Sequence, residues 1–193
     1  RNKAGVSPVL PLVRRIDDIA DMEGLTAYLT DMTQPHFGGR LINIGTTQDS
    51  RDSSNMTTDV SRCSLTLGHA AEYNAPELSP SAARRKAAND IFHVKLLVKA
   101  GFDKERAEKM NEAHFRVEQA IAKQSMSVKE IYAPEARKQM YNVRTKSELA
   151  AASPAFPAIA VIDALGYGDS REFVLEEPKW LAAMNEYYKP ENL

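Results

Sequence analysis

From Ser79 to Ile121 the chain reads S-P-S-A-A-R-R-K-A-A-N-D-I-F-H-V-K-L-L-V-K-A-G-F-D-K-E-R-A-E-K-M-N-E-A-H-F-R-V-E-Q-A-I, two helical patterns separated by a very short gap. Ser79 is an N-cap with Pro80 at the first helical position, where a missing N–H costs nothing. Ile91, Val94, Leu97 and Val98 form an apolar stripe on the first helix, and Gly101 sits where a left-handed cap is expected. Asp103 or its neighbours open the second helix, whose buried positions are expected to be Ala107, Met110, Ala113, Phe115, Val117 and Ile121. So short a connection implies an antiparallel helical hairpin.

The flanks extend this pattern. Leu12, Val13, Ile16 and Ile19 recur at helical spacing, Asp21 can cap a second short helix, and Leu25, Tyr28 and Leu29 line one face of it. Thr33 to Arg40, with Pro35, Gly38 and Gly39, reads as a loop. Leu41-Ile42-Asn43-Ile44 is β-like, Gln48 to Asn55 is a polar link, and Met56 to Val60 returns as a second strand, so residues 41–63 predict a small hairpin. Ser64 to Ser79 reads as an irregular loop entered through Leu65 to Leu67. Ser127 with Glu130, and Thr145 with Glu148, fit capping boxes. Pro134 breaks the helix that Ser127 starts. Pro154 and Pro157 precede an apolar helix through Ile162 to Leu165, ended by Gly166 and Gly168. Glu172 to Leu175 is a short extended segment, and Pro178 opens a last helix carrying Trp180, Leu181 and Met184. The expected fold is mainly α: one helical domain over residues 1–193, with antiparallel long helices and a small β-hairpin.

Composition narrows the function classes. A chain of 193 residues buries roughly 70% of its unfolded surface without staples. With 25 Lys plus Arg against 26 Asp plus Glu, no electrostatic case arises for nucleic acid. Arg84-Arg85-Lys86 lies inside a helical pattern and reads as a solvated face. No run of 18 apolar residues exists to span a membrane, and Arg1 to Ala4 holds no signal-peptide core. Cys63 is the single cysteine, which excludes an internal disulfide and a tetracysteine zinc site. Only Arg62 stands beside it to activate the thiol, so it reads as unreactive.

No constellation for chemistry emerges. The four histidines are His36, His69, His93 and His114. A zinc-peptidase helix needs histidines at i and i+4 with a glutamate beside the first. His93, the first of the nearest pair, is followed by Val94-Lys95, so no such helix is present. His114 and Glu118 do stand at i and i+4. They read as an intrahelical hydrogen bond or ion pair worth roughly 0.2–0.5 kcal/mol rather than as metal ligands. No Gly-x-Ser-x-Gly elbow occurs. Gly38-Gly39-Arg40 and Gly166-Tyr167-Gly168 lack the context of a phosphate loop. Asp17-Asp18 and Glu176-Glu177 point apart on a regular helix, which argues against a shared-proton dyad. Catalytic, cofactor-binding and metal residues are therefore all expected to be none.

One ordered set of motifs points further. Glu118 to Ser127 reads E-Q-A-I-A-K-Q-S-M-S, and Tyr141 to Leu149 reads Y-N-V-R-T-K-S-E-L. Around them lie Leu41 to Ile44 with Asp49-Ser50-Arg51-Asp52-Ser53, Ser64 to Gly68, the Leu97 to Gly101 helix end, and Pro154, Phe156, Leu165, Gly166, Val174, Pro178 and Leu181. Their succession resembles the N-terminal region of the neprilysin-like zinc metallopeptidases, especially the bacterial endopeptidase O branch. The stretch His69 to Asn74 keeps one tyrosine of the family's pair and lacks its aspartate. In that family this region is a helical lid that faces a zinc domain across a cavity and restricts access to peptides of modest size. The zinc ligands lie later in the chain. The resemblance implies a non-catalytic lid fragment whose partners are the zinc domain of the same polypeptide and peptide substrates. Tyr141-Asn142 and Glu148-Leu149 are then a turn and a helix cap. Zinc belongs to the parent, with none expected in this chain. A single cysteine sets the chain apart from the disulfide-rich secreted vertebrate members and gives it a bacterial look. A helical peptide- or protein-binding module without activity is the alternative.

Overall fold

The computed structural model describes residues 5–31 and 41–193. The loop expected at Thr33 to Arg40, and His36 with it, lie outside the described residues. The fold is mainly α with a small sheet, as expected. It divides into two compact units: residues 1–19 with 64–123, and residues 20–63 with 124–193.

Unit 1 is built on α4 (Pro80–Lys99) and α5 (Lys104–Lys123), with α1 (Leu10–Asp17) and α3 (Ala70–Asn74) beside them in sequence. The Ser79 hydroxyl accepts the Ala82 amide at 3.2 Å, and Asp103 Oδ1 accepts the Arg106 amide at 2.8 Å, so both starts are capped. Gly101 has φ +108°, and the Phe102 amide returns to the Leu97 carbonyl at 3.2 Å, which closes α4 with a left-handed turn. Lys86 Nζ sits 4.3 Å from the Phe115 ring centroid, and Asn111 Nδ2 donates to Asp90 Oδ1 at 2.7 Å. Four residues forward along α4 thus match four backward along α5, the mark of an antiparallel pair.

Two expectations change here. Of the stripe Ile91, Val94, Leu97 and Val98, only Val94 and Leu97 are half-buried. Ile91 is 56% and Val98 42% exposed, as is Phe92 at 60%, and Ala82 is the buried residue of α4. Lys86, Asp90 and His93, at i, i+4 and i+7, make polar contacts to α5. On α5, Ala107 and Ile121 are buried as expected, while Met110, Ala113, Phe115 and Val117 are half-buried. The second change is α3, which replaces part of the irregular loop. Five residues are too few for periodicity or autonomous helix formation. Tertiary bonds hold this helix, among them Asn74 Nδ2 to the Ala122 carbonyl at 3.1 Å.

Unit 2 contains α2 (Met22–Thr30), whose N-cap Asp21 accepts the Gly24 amide at 2.7 Å. The hairpin is present as β1 (Ile42–Gln48) and β2 (Met56–Arg62). It does not stand alone. β4 (Glu172–Leu175) runs parallel to β2, and β3 (Asn142–Thr145) pairs antiparallel with β4, giving the order β1-β2-β4-β3. Tyr141-Asn142 therefore leads into a strand and is not merely a turn. A four-residue strand carries too little alternation to be read from sequence. One sheet face carries Ile42, Val60, Phe173 and Leu175, all buried.

The helices of this unit are α6 (Val128–Ile131), α7 (Ala136–Gln139), α8 (Lys146–Ala152), α9 (Ala158–Ala164) and α10 (Lys179–Tyr187), with a 3₁₀ turn at Pro190–Asn192. Both capping boxes form, at Ser127 with Glu130 and Thr145 with Glu148. Pro134 lies between α6 and α7, where it was expected to break the helix. Gly166 closes α9 at φ +85°. Phe156, Ile162, Trp180 and Leu181 are buried, and the indole N–H of Trp180 donates to the Glu176 carbonyl at 3.1 Å. Replacing Trp180 with alanine should cost about 3–5 kcal/mol in urea unfolding, whereas Ser127→Ala should cost about 0.5–2 kcal/mol. Similar midpoints for the two variants would contradict this assignment of the core.

Candidate functional site

In unit 1 the pair singled out by sequence, His114 and Glu118, belongs to a longer string of polar groups. Glu118 is only 5% exposed. Its Oε1 accepts the Thr66 amide and the Thr66 hydroxyl, both at 2.8 Å, and its Oε2 accepts the Tyr73 hydroxyl. The Tyr73 oxygen in turn accepts the Leu67 amide at 2.9 Å. Burial, and then the hydrogen bond to Glu118, hold the Tyr73 phenol far above its ordinary range.

Hydrogen directions follow from these partners. Thr66 donates its one hydroxyl proton to Glu118, so His114 Nε2, 3.0 Å from that oxygen, donates to it. Asn111 Nδ2 donates to Asp90, so its Oδ1 accepts from His93 Nδ1 at 3.0 Å. The two imidazoles meet edge to face with centroids 5.4 Å apart. Burial pushes the His114 pKa down, the nearby Glu118 charge raises it, and His93 lowers it again. The expected intrahelical pair is thus present at 3.4 Å, but Glu118 spends its main bonds on residues 66 and 73. Neither partner was legible in the sequence, since both lie more than 40 positions away.

In unit 2 the sheet face opposite the buried one forms a cleft of about 520 Å³. Thr47, Thr57, Asp59 and Val174 line it from the strands, Glu176 from just after β4, Arg137 from α7 and Tyr141 from just before β3. Tyr141 donates to Asp49 Oδ2 at 2.8 Å, and the Arg51 guanidinium stacks 4.0 Å from the Tyr141 ring centroid. The Asp49 carboxyl is held below its usual range by the Arg51 amide and then by Tyr141. Asp59 is pushed up by burial. Glu176 is pushed up by burial, then by Asp59 and Glu177. Glu177, at φ +43° and buried, accepts the Met126 amide at 2.8 Å and lies 3.7 Å from Arg62 Nε. Glu176 and Glu177 do not sit on a helix. They follow β4, and only Glu176 lines the cleft.

The sequence profile for the N-terminal part of peptidase family M13 matches residues 1–193. The chain belongs to peptidase family M13. A comparison with curated protein sequences gave no significant match. Among solved structures, the chain is similar to the Mycobacterium tuberculosis zinc metalloprotease Zmp1 in complex with an inhibitor, at 22% identity and a TM-score of 0.76, covering 98% of this chain and 29% of that one. The open state of Zmp1 gives 22% identity and 0.75 over 96% and 28%. PepO from Lactobacillus rhamnosis HN001 gives 14% identity and 0.76 over 98% and 29%. At these identities the likeness is one of fold. This M13 chain spans less than a third of the length of those structures.

Among the described residues no group of three His, Cys, Asp or Glu side chains converges to hold a metal. Among the described residues no helix is long and apolar enough to cross a membrane.

The His114 geometry generates a pH prediction. An unfolded imidazole titrates near ~6.5, and folded His114 titrates lower because burial disfavours its cation. As pH falls, the unfolded chain takes the proton first. The stability of the neutral imidazole is whole above about pH 6.5 and declines below it. Urea midpoints should fall more steeply below that pH in the native chain than in His114→Gln, and parallel pH profiles would refute the assignment. Tyr73→Phe, which strips a donor from the buried Glu118 carboxylate, should cost about 1.5–3 kcal/mol at pH 7.

Proposed function

We propose that residues 1–193 form one helical, non-catalytic domain of a bacterial zinc metalloendopeptidase, and that this domain walls the peptide cavity and restricts entry to it. Its partner is the zinc domain of the same polypeptide. The reading is carried by one observation: the whole chain matches the N-terminal M13 profile, yet its 193 residues contain no His-Glu-x-x-His helix. The fold shared with Zmp1 and PepO supports it. No catalytic, cofactor-binding or metal residue is assigned to this chain. In the parent, zinc would polarise the scissile carbonyl and activate water.

The test compares the 193-residue chain with the protein encoded by its full reading frame. The long form should bind zinc, cleave a quenched fluorogenic peptide and lose that activity to a chelator. The short form should do neither. Cleavage by the short form that survives repurification and chelation would defeat the reading, as would a full frame without the zinc helix.

A further inference from the structure

β1 stands at one end of the sheet of unit 2, and among the described residues no strand pairs with its other edge. Its seven residues, I-N-I-G-T-T-Q, contain no charge and no proline. All seven pair one to one with β2, so no bulge interrupts them. Charge, proline and a bulge, three usual protections of an exposed edge, are thus absent from β1. The Asp49 amide donates to the Asn55 carbonyl at 3.0 Å, which turns the amides and carbonyls of the odd-numbered residues toward β2. Those of Ile44, Thr46 and Gln48 point away from it. That ladder matches the backbone of an extended peptide.

The cleft adds selectivity. Asn43, Gly45 and Thr47 share a sheet face with Ser61, Asp59 and Thr57, and Gly45 lies directly opposite Asp59. A Cβ placed on Gly45 meets nothing within 4 Å. A side chain arriving from a strand added to β1 thus passes over open space to reach the Asp59 carboxylate. Val174 pairs with Asp59, so Glu176, two residues on, falls on the same face. Asp59 and Glu176 make no ion pair among the described residues. Arg62 is turned to Glu177, and exposed Arg137 is the one cation among the described residues of the cleft lining.

We infer that the outer edge of β1 and the acidic cleft behind it bind one extended peptide segment, with a lysine or arginine of that segment placed opposite Gly45. The backbone is held by the outward groups of Ile44, Thr46 and Gln48. The cationic side chain crosses the gap at Gly45 and pairs with Asp59 and Glu176. This inference stands on the strand edge and not on the zinc-peptidase reading, so the two fail separately.

The probe is a blocked, fluorescein-labelled seven-residue peptide of alternating threonine and valine with a central lysine, titrated against the protein by fluorescence anisotropy. Its twin carries a central glutamate. The lysine peptide should bind at least about tenfold tighter than its twin, the scale of one charge-assisted contact. Thr46→Pro removes an outward amide that β2 does not use, so the fold persists, while affinity for the lysine peptide drops about tenfold or more. Gly45→Thr suits a strand and fills the gap, so it should leave the unfolding midpoint undiminished and abolish the preference for lysine. Asp59→Asn combined with Glu176→Gln should make the two peptides bind alike. Equal binding of both peptides to the native protein, or no effect of Thr46→Pro, overturns the inference. So does a native dimer in sedimentation that Thr46→Pro abolishes, because the occupant of the edge is then a second copy of the chain.

Discussion

Three residues of parallel pairing, Thr58 with Phe173, Asp59 with Val174 and Val60 with Leu175, hold unit 2 together. Without them β1 and β2 would be a lone two-stranded hairpin, which is marginal in water. With them the hairpin becomes half of a sheet whose other half, β3 and β4, arrives 80 or more residues later. Because side chains alternate along a strand, this register also sorts every residue onto one of two faces. Val60, Phe173 and Leu175 go to the core, and Asp59, Val174 and Glu176 go to the cleft. A slip of one residue would bury the carboxylates and expose the aromatic ring, so burial itself enforces the pairing that builds the cleft.

Unit 1 solves a different problem. Where its two long helices meet, polar groups carry much of the contact. Lys86, Asp90, Asn111 and His93 form one string across the seam, and His114, Thr66, Glu118 and Tyr73 form another. A buried carboxylate is costly unless its lone pairs are filled. Glu118 takes three donors from residues 66 and 73, and that demand positions both the loop before α3 and the helix itself.

Local signals were the legible part of this fold. Ser79-Pro80, Asp21, the two Ser/Thr-x-x-Glu boxes, Gly101 and Gly166 each act within a turn or two, and each appears where the residue types place it. What escaped is what depends on distance along the chain. Strand β3 and helix α3 are short, and both exist because of partners remote in sequence. The stripe on α4 was legible as apolar, but periodicity identifies a face without saying what covers it: Ile91 and Val98 are exposed, and Val94 and Leu97 are half-buried. The same limit governs the site. Asp59 and Gly45 are 14 positions apart and unremarkable as letters, and only the hairpin register sets them opposite one another. His114 with Glu118 was visible as an i, i+4 pair, yet the groups that satisfy Glu118 were not.

The polar seam bears on what unit 1 is suited to do. Apolar stripes tolerate small slides of one helix along another, since any methyl can replace any other. A string in which Asn111 must both donate to Asp90 and accept from His93 has one register, and shifting it by a turn leaves buried groups unpaired at about 1–3 kcal/mol each. The α4–α5 hairpin is thereby fixed along its length while Ile91, Phe92 and Val98 stay on its surface. A helix pair that fixes its register with polar groups and leaves apolar side chains outside is built as a rigid support for a further surface. Such a fixed pair would suit the proposed role of a cavity wall.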